Sequence, residues 1–162
     1  MTAIRPATSQ DASRLCAIYT PIVAATHISF EVEPPTEEEM GRRMEAAPVP
    51  WLVRESEGEV VGFASAAPFR ERAAYRWTAE MSIYVAERAR LRGLGRELGM
   101  ALLEGLRSGG YHSAVGVVAL PNAASEGLLR ALGFEPAGLL REAGYKLGRW
   151  WDVQLWQRIV HP

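Results

Sequence analysis

"MSIYVAERARLRGLGRELGMALLEGL", residues Met81 to Leu106, changes character in its middle. It opens as an apolar strand and ends with Leu94, Leu98, Ala101 or Leu102, and Leu106 at the spacing of a buried helical face. Between these lie Arg90, Arg92 and Arg96, with Gly93 and Gly95 among them. Glycine at the start of a helix is costly unless the chain must bend there or another group must come close. The first amides of a helix have no helical acceptor, so bare backbone flanked by arginines makes an anion site suited to phosphate. The spacing Gly-x-Gly-x-x-x-Gly misses the dinucleotide fingerprint by one residue, and no Gly-Lys-Ser/Thr follows as in a triphosphate loop.

Outward from this segment the chain alternates between strands and helices. "AIRPAT" (3–8) reads as a first strand, and "SQDASRLCAIYTPIVAAT" (9–26) as a helix. Ser9 or Asp11 is its expected N-cap, Leu15, Ile18, Ile22 and Val23 its apolar stripe, and Pro21 a kink or an end. A loop, "HISFEVEPP" (27–35), leads to a second helix at 36–46, capped by Thr36 with acids in its first turn. "WLVRES" (51–56) and "VVGFASAAPF" (60–69) alternate like antiparallel strands, followed by "WTAEMSIYV" (77–85). "SAVGVVAL" (113–120) is continuously apolar, hence a central strand. "PNAASEGLLRAL" (121–132) is a helix ended by Gly133. "FEPAGLLREAG" and "WWDVQLWQRIV" are two last strands around a "GYKLGR" turn. The order βααβββαβαββ implies an α/β fold, a mixed sheet with helices on both faces.

The 162 residues make one domain, and 48% hydrophobic with 23% charged residues describe a globular protein. A net charge of −1 argues against a nucleic-acid-gripping surface. No apolar run reaches bilayer length and the N-terminal stretch lacks a signal-peptide core, so the expected location is cytoplasmic, with no membrane partner. Cys16, the single cysteine, lies among apolar residues as a buried helical position. No set of histidines and acids has ligand spacing, so no metal is expected.

Arg90-x-x-Gly93-x-Gly95, after a strand and opening a helix, resembles the pyrophosphate loop of the GNAT acetyltransferases. "LPNAAS" after the next strand and "LLRALGFEPAG" fall where that family has them, and the resemblance spans essentially the whole chain. It implies a mixed sheet of about seven strands with about four helices, and acetyl-coenzyme A as co-substrate. "HISFEVEPPT", "AYRWTAEMSIYV" and "GYKLGRWWDVQLWQ" resemble the phosphinothricin and methionine sulfoximine or sulfone acetyltransferase branch. That branch acetylates the α-amine of small amino-acid analogues, and the resemblance further implies a homodimer through the C-terminal region.

Residue by residue, the resemblance implies coenzyme contacts from Ile83, Tyr84 and Val85 main chain, from Arg90, Leu91, Arg92, Gly93, Leu94, Gly95 and Arg96, and from Asn122. Ser125 stands beside Asn122 and is counted with them. Glu80 is the expected general base, since an ammonium must lose a proton before attacking a thioester. The alternative is an exposed glutamate paired with Arg76 or Arg72. Arg70, Arg72 and Tyr75 match the branch's substrate loop, and Phe30 an aromatic wall of the pocket. Lys146 and Arg149 match the branch motif and serve substrate, turn or dimer. Of the histidines, His27 is a candidate pocket residue, while His112 and His161 read as turn and terminal positions. Trp150, Trp151 and Trp156 read as core or subunit-interface aromatics.

The match breaks at Leu129, where many relatives carry a tyrosine placed to protonate the departing thiolate and this branch often has histidine. Leucine can do neither; Tyr84 and Ser125 are the remaining candidates beside solvent. Two other readings stand beside the amino-acid acetyltransferase: an acetyltransferase for a polyamine or protein N-terminus, and a non-catalytic acyl-coenzyme-binding module. A retained Glu80 argues against the second, and the arginines near Tyr75 favour an anionic acceptor over a polyamine.

Overall fold

A computed structural model describes residues 3–161 of the chain; Met1, Thr2 and Pro162 of the expected single unit lie outside the described residues. The strands are β1 (Ala3–Pro6), β2 (Leu52–Ser56), β3 (Glu59–Pro68), β4 (Thr78–Val85), β5 (Ser113–Ala119), β6 (Glu135–Lys146) and β7 (Arg149–Ile159). The helices are α1 (Ala12–Ala25), α2 (Glu37–Glu45), α3 (Leu94–Ser108) and α4 (Ala123–Ala131). All strands join one sheet in the order β1-β2-β3-β4-β5-β7-β6, antiparallel throughout except for the parallel pair β4·β5.

Each face of the sheet carries its own core. Leu98, Leu102 and Leu106 of α3 and Leu129 and Leu132 around α4 cover Ala64, Ala66, Ala79 and Met81. Burying each such leucine stabilises the fold by roughly 1.5–3 kcal/mol. On the opposite face Leu15, Ile18, Ile22 and Val23 of α1, with Met40 of α2, cover Val53, Val60 and Phe63. Side chains alternate along a strand. Ala79, Met81 and Ile83 therefore join the α3 face, and Glu80, Ser82 and Tyr84 look toward α1 and α2.

The helix boundaries follow local chemistry with two corrections. Thr36 caps α2 as expected, its Oγ1 accepting from the Glu39 amide at 3.1 Å. Neither Ser9 nor Asp11 caps α1 through its side chain. The Asp11 carboxylate instead turns back to accept from the Thr8 amide at 2.8 Å and from both terminal nitrogens of Arg5. Pro21 does not end α1, which continues to Ala25. Its ring lies on the exposed side, while buried Ile18, Ile22 and Val23 hold the helix on the sheet.

The C-terminal hairpin is tighter than the expected "GYKLGR" turn. Tyr145 pairs with Trp150 and Lys146 with Arg149, leaving only Leu147 and Gly148, both at positive φ, as the connection. Two positive φ values in a two-residue loop match the right-handed twist of the strands it joins.

Candidate active site

The decisive feature is where two strands part. β4 and β5 pair from Thr78↔Ser113 to Met81↔Gly116 and no further. β4 continues to Val85 against β3 alone, and β5 continues to Ala119 against β7 alone. One edge of Ser82–Val85 is thus left without a strand partner inside a sheet. Met81, Ser82, Ile83, Tyr84, Gly116, Val117 and Val118 line the resulting cleft, closed by Ile28 and by Asn122, Ser125, Leu128 and Leu129 of the α4 region. An extended amide-bearing chain laid there can use the main-chain groups that a neighbouring strand would otherwise take. Leu129 lies across Gly116, where a Cβ would come within 2.9 Å of its Cδ1. Leu129 brings no proton donor to the fork; Ser82, Tyr84, Asn122 and Ser125 supply the polar side chains of the cleft lining.

The glycine segment opens at one end of β4. Leu91 and Gly93 take positive φ of 63° and 77°, and Leu91 is fully exposed. Gly93 is the N-cap of α3, with no side chain capping the helix. The first helical bond runs from the Glu97 amide to the Gly93 carbonyl, and the amides of Leu94, Gly95 and Arg96 have no main-chain acceptor among the described residues. Free amides thus stand at the place where the sequence suggests an anion site. The two glycines differ in role, however. Around Gly93 the space is open, whereas a Cβ at Gly95 would lie 3.2 Å from Leu128 Cδ2, so Gly95 serves helix packing. Arg90 reaches back to the Val85 carbonyl through Nε, and Arg92 and Arg96 are exposed. Asn122 caps α4, its Oδ1 accepting from the Ser125 amide at 3.1 Å, and both residues line the cleft.

Glu80 lies on the α1/α2 side of β4, opposite Ala67 of β3 and Val115 of β5. Burial pushes its carboxyl above the usual range, opposed by the field of Arg70. The partners imagined for an idle surface glutamate are not engaged with it: Arg76 sits over the Trp77 ring and Arg72 begins the short turn at Ala73–Tyr75. Farther along the same face, Tyr84 packs against Tyr19 with the rings tilted by 50° and their centroids 4.8 Å apart. The Tyr19 hydroxyl bonds Ser29 Oγ at 2.7 Å and donates to Glu31, which is bound by Arg43. Burial raises the proton affinity of both tyrosines.

Arg70, Arg72 and Tyr75 do cluster, around an open hollow with Pro68, Phe69 and Glu71. Arg70 stacks on Phe69 and Tyr75 meets the same ring edge-on. Phe30 stands elsewhere, its ring packed onto Gly144 of β6 so closely that no Cβ fits there. His27 does not join the cleft lining: it bonds the Pro121 carbonyl through Nε2 and stacks on Trp151 at 4.1 Å. Arg149 lies over the same indole, also at 4.1 Å. Lys146 is buried, and its Nζ donates to the carbonyls of Val23 at 2.6 Å and Ser29 at 2.7 Å, tying the 26–31 loop to β6. It anchors that loop. Ser82, Ile28 and Leu128 were not singled out from sequence; only the alternation Glu80-x-Ser82-x-Tyr84 pointed to the first. Among the described residues no group of three or more His, Cys, Asp and Glu side chains gathers to hold a metal, and no helix is long and apolar enough to cross a membrane.

Comparison with known proteins adds independent findings. Residues 4–155 match the family model described as acetyltransferase (GNAT) domain. The phosphinothricin N-acetyltransferase of Streptomyces viridochromogenes is 43% identical over 157 residues, spanning 96% of this chain and 86% of the relative. An L-methionine sulfoximine/L-methionine sulfone acetyltransferase of Pseudomonas paraeruginosa is 40% identical over 111 residues, 68% of this chain and 64% of the relative. Among solved structures, a phosphinothricin acetyltransferase from Sinorhizobium meliloti in complex with acetyl-coenzyme A superposes with TM-score 0.92 at 35% identity, covering 98% of this chain and 88% of that one.

Proposed function

Because the chain belongs to the GNAT acetyltransferase family and is an acetyl-coenzyme A-dependent N-acetyltransferase, we propose that its acceptor is the α-amine of a small amino acid or analogue of the phosphinothricin, methionine sulfoximine or methionine sulfone type. The observation that carries this reading is the fork between β4 and β5 beside a buried glutamate. The pantetheine arm lies along the free edge of Ile83, Tyr84 and Val85, and the diphosphate rests on the amides at the start of α3 between Arg90 and Arg96. Asn122 and Ser125 border the arm from the α4 side.

Glu80 takes the proton from the acceptor ammonium, directly or through water. The free amine attacks the thioester carbonyl carbon while a main-chain amide of β4 stabilises the developing oxyanion. The C–S bond then breaks, the acetyl group stays on nitrogen and the coenzyme leaves as a thiolate. Leu129 has no proton to give, so solvent, the Tyr84 hydroxyl or Ser125 supplies it. A carboxyl held above its ordinary range by burial suits a base working near neutral pH. Arg70 and Arg72, with Tyr75, hold the acceptor's carboxylate.

The same reading makes residues 1–162 one catalytic domain, cytoplasmic and homodimeric, with neither nucleic acid nor membrane as partner. The dimer is supported by the exposed apolar side chains Leu139, Leu140, Tyr145 and Trp150 on the outer hairpin. Thiol release from acetyl-coenzyme A tests the function. Methionine sulfone, methionine sulfoximine and phosphinothricin are expected to give turnover well above spermidine; turnover confined to polyamines, or none with any α-amino acid, overturns the reading.

A further inference from the structure

The first turn of α3 has little apolar hold on the sheet. Leu98 is the first buried side chain of the helix, Leu94 is only half-buried, and Gly95 offers no side chain to bury. Beneath this turn lies a buried arginine. Arg54 of β2 pairs with Ile4 of β1 and Gly62 of β3, and it is 7% exposed. Val53 beside it joins the α1 core, so Arg54 faces α3. The strand register shifts directly after it, between Arg54 and Glu55, and an irregularity of this kind re-aims the neighbouring side chain. Its Nη2 lies 2.8 Å from the Glu97 carboxylate, Nη1 donates to the Glu55 carbonyl at 3.0 Å, and Nε is buried without a partner among the described residues. Helix and sheet come close here, since a Cβ at Gly62 would lie 3.2 Å from Leu98 Cδ1.

A buried guanidinium with one nitrogen unsatisfied is a costly way to hold a helix, and an apolar side chain of similar volume often stabilises as well or better. What an ion pair adds is a fixed direction. The Glu97 amide makes the first helical bond, to the Gly93 carbonyl, so fixing Glu97 fixes the left-handed bend at Gly93. The aim of the free amides of Leu94, Gly95 and Arg96 follows from that bend. The pairing also offsets the one carboxylate of that turn, whose charge would oppose a diphosphate. We infer that Arg54 is a positioning residue for acetyl-coenzyme A, acting through Glu97 on the start of α3. This assignment rests on the reading that the diphosphate lies on those amides, and deepens it.

Two acetyl donors separate the outcomes: acetyl-coenzyme A, and S-acetylpantetheine, which lacks the diphosphate and the nucleotide. In the parent enzyme kcat/KM is expected to be about tenfold or more higher for acetyl-coenzyme A. In Arg54→Met the KM for acetyl-coenzyme A is expected to rise about fivefold or more, with kcat, the acceptor KM and kcat/KM for S-acetylpantetheine within about twofold of the parent. Calorimetric titration with coenzyme A alone is expected to show the same loss of affinity, whatever the acceptor. Arg54→Gln should behave alike and serves if Arg54→Met does not fold. Unchanged coenzyme affinity in a folded variant overturns the proposal, and so does an equal loss with both donors, which marks a generally loosened fold. In a Glu97→Gln background the Arg54 substitution is expected to cost less than about twofold; an undiminished effect overturns the route through Glu97. A parent that uses both donors equally well removes the diphosphate reading itself, an outcome distinct from a parent that prefers acetyl-coenzyme A and is indifferent to Arg54.

Discussion

Glu80, the proposed base, ties one residue's environment to a prediction on activity and another on stability. The desolvation that raises its proton affinity disfavours the carboxylate in the folded chain. A base must be ionised, so kcat/KM is expected to fall as pH drops through a value above the ordinary carboxylate range. In Glu80→Gln that acidic limb should vanish and kcat should drop by about 10²–10⁴-fold. Stability moves the other way. A raised folded-state pKa gives stability that is complete below the unfolded value and lost as pH rises through the folded one. Glu80→Gln is therefore expected to melt higher than the parent at about pH 8, with the difference vanishing near about pH 4, where both side chains are neutral. Differential scanning calorimetry across pH checks this, and a variant that melts lower at high pH contradicts the assignment of burial as the cause.

At the scale of elements, the start of α3 and the start of α1 use opposite devices. Gly93 caps α3 in a left-handed conformation with open space around it, so Gly93→Ala is strained by the backbone and not by neighbours. The expected cost is about 1 kcal/mol of stability, with acetyl-coenzyme A affinity weakened several-fold by calorimetric titration as the amides lose their aim. Asp11 before α1 is held by Arg5 and the Thr8 amide, which lower its pKa to about 2. Its contribution is present above the unfolded carboxylate value and lost as pH falls through about 2. Asp11→Asn should cost about 2 kcal/mol at neutral pH in urea titration, and less as the medium is acidified. An unchanged difference at low pH would contradict the ion pair as the source.

For the molecule as a whole, the outer hairpin is the face on which the proposed dimer rests. β6 forms the edge of the sheet with Leu139, Leu140 and Tyr145 exposed, and Trp150 faces out from β7. An edge of this length and polarity is ordinarily covered. Sedimentation at micromolar concentration is expected to give twice the mass of the 17.8 kDa chain, and a Trp150→Asp, Leu140→Asp double variant to sediment as a monomer. The element order, the capping of α2 by Thr36 and the backbone bend at Gly93 were legible in the sequence, because periodicity, capping and glycine conformation are properties of neighbours along the chain. Pro21 as an end of α1 and the length of the last hairpin differ for the complementary reason: buried contacts carry the helix past Pro21 to Ala25, and cross-strand pairing runs through "GYK". The parting of β4 from β5, the burial that tunes Glu80, the anchoring of the 26–31 loop by Lys146 and the pairing of Arg54 with Glu97 beneath α3 came only from the tertiary structure. Each depends on groups far apart in sequence, and no local pattern encodes which strand a backbone edge will lack or which side chain will lose its water.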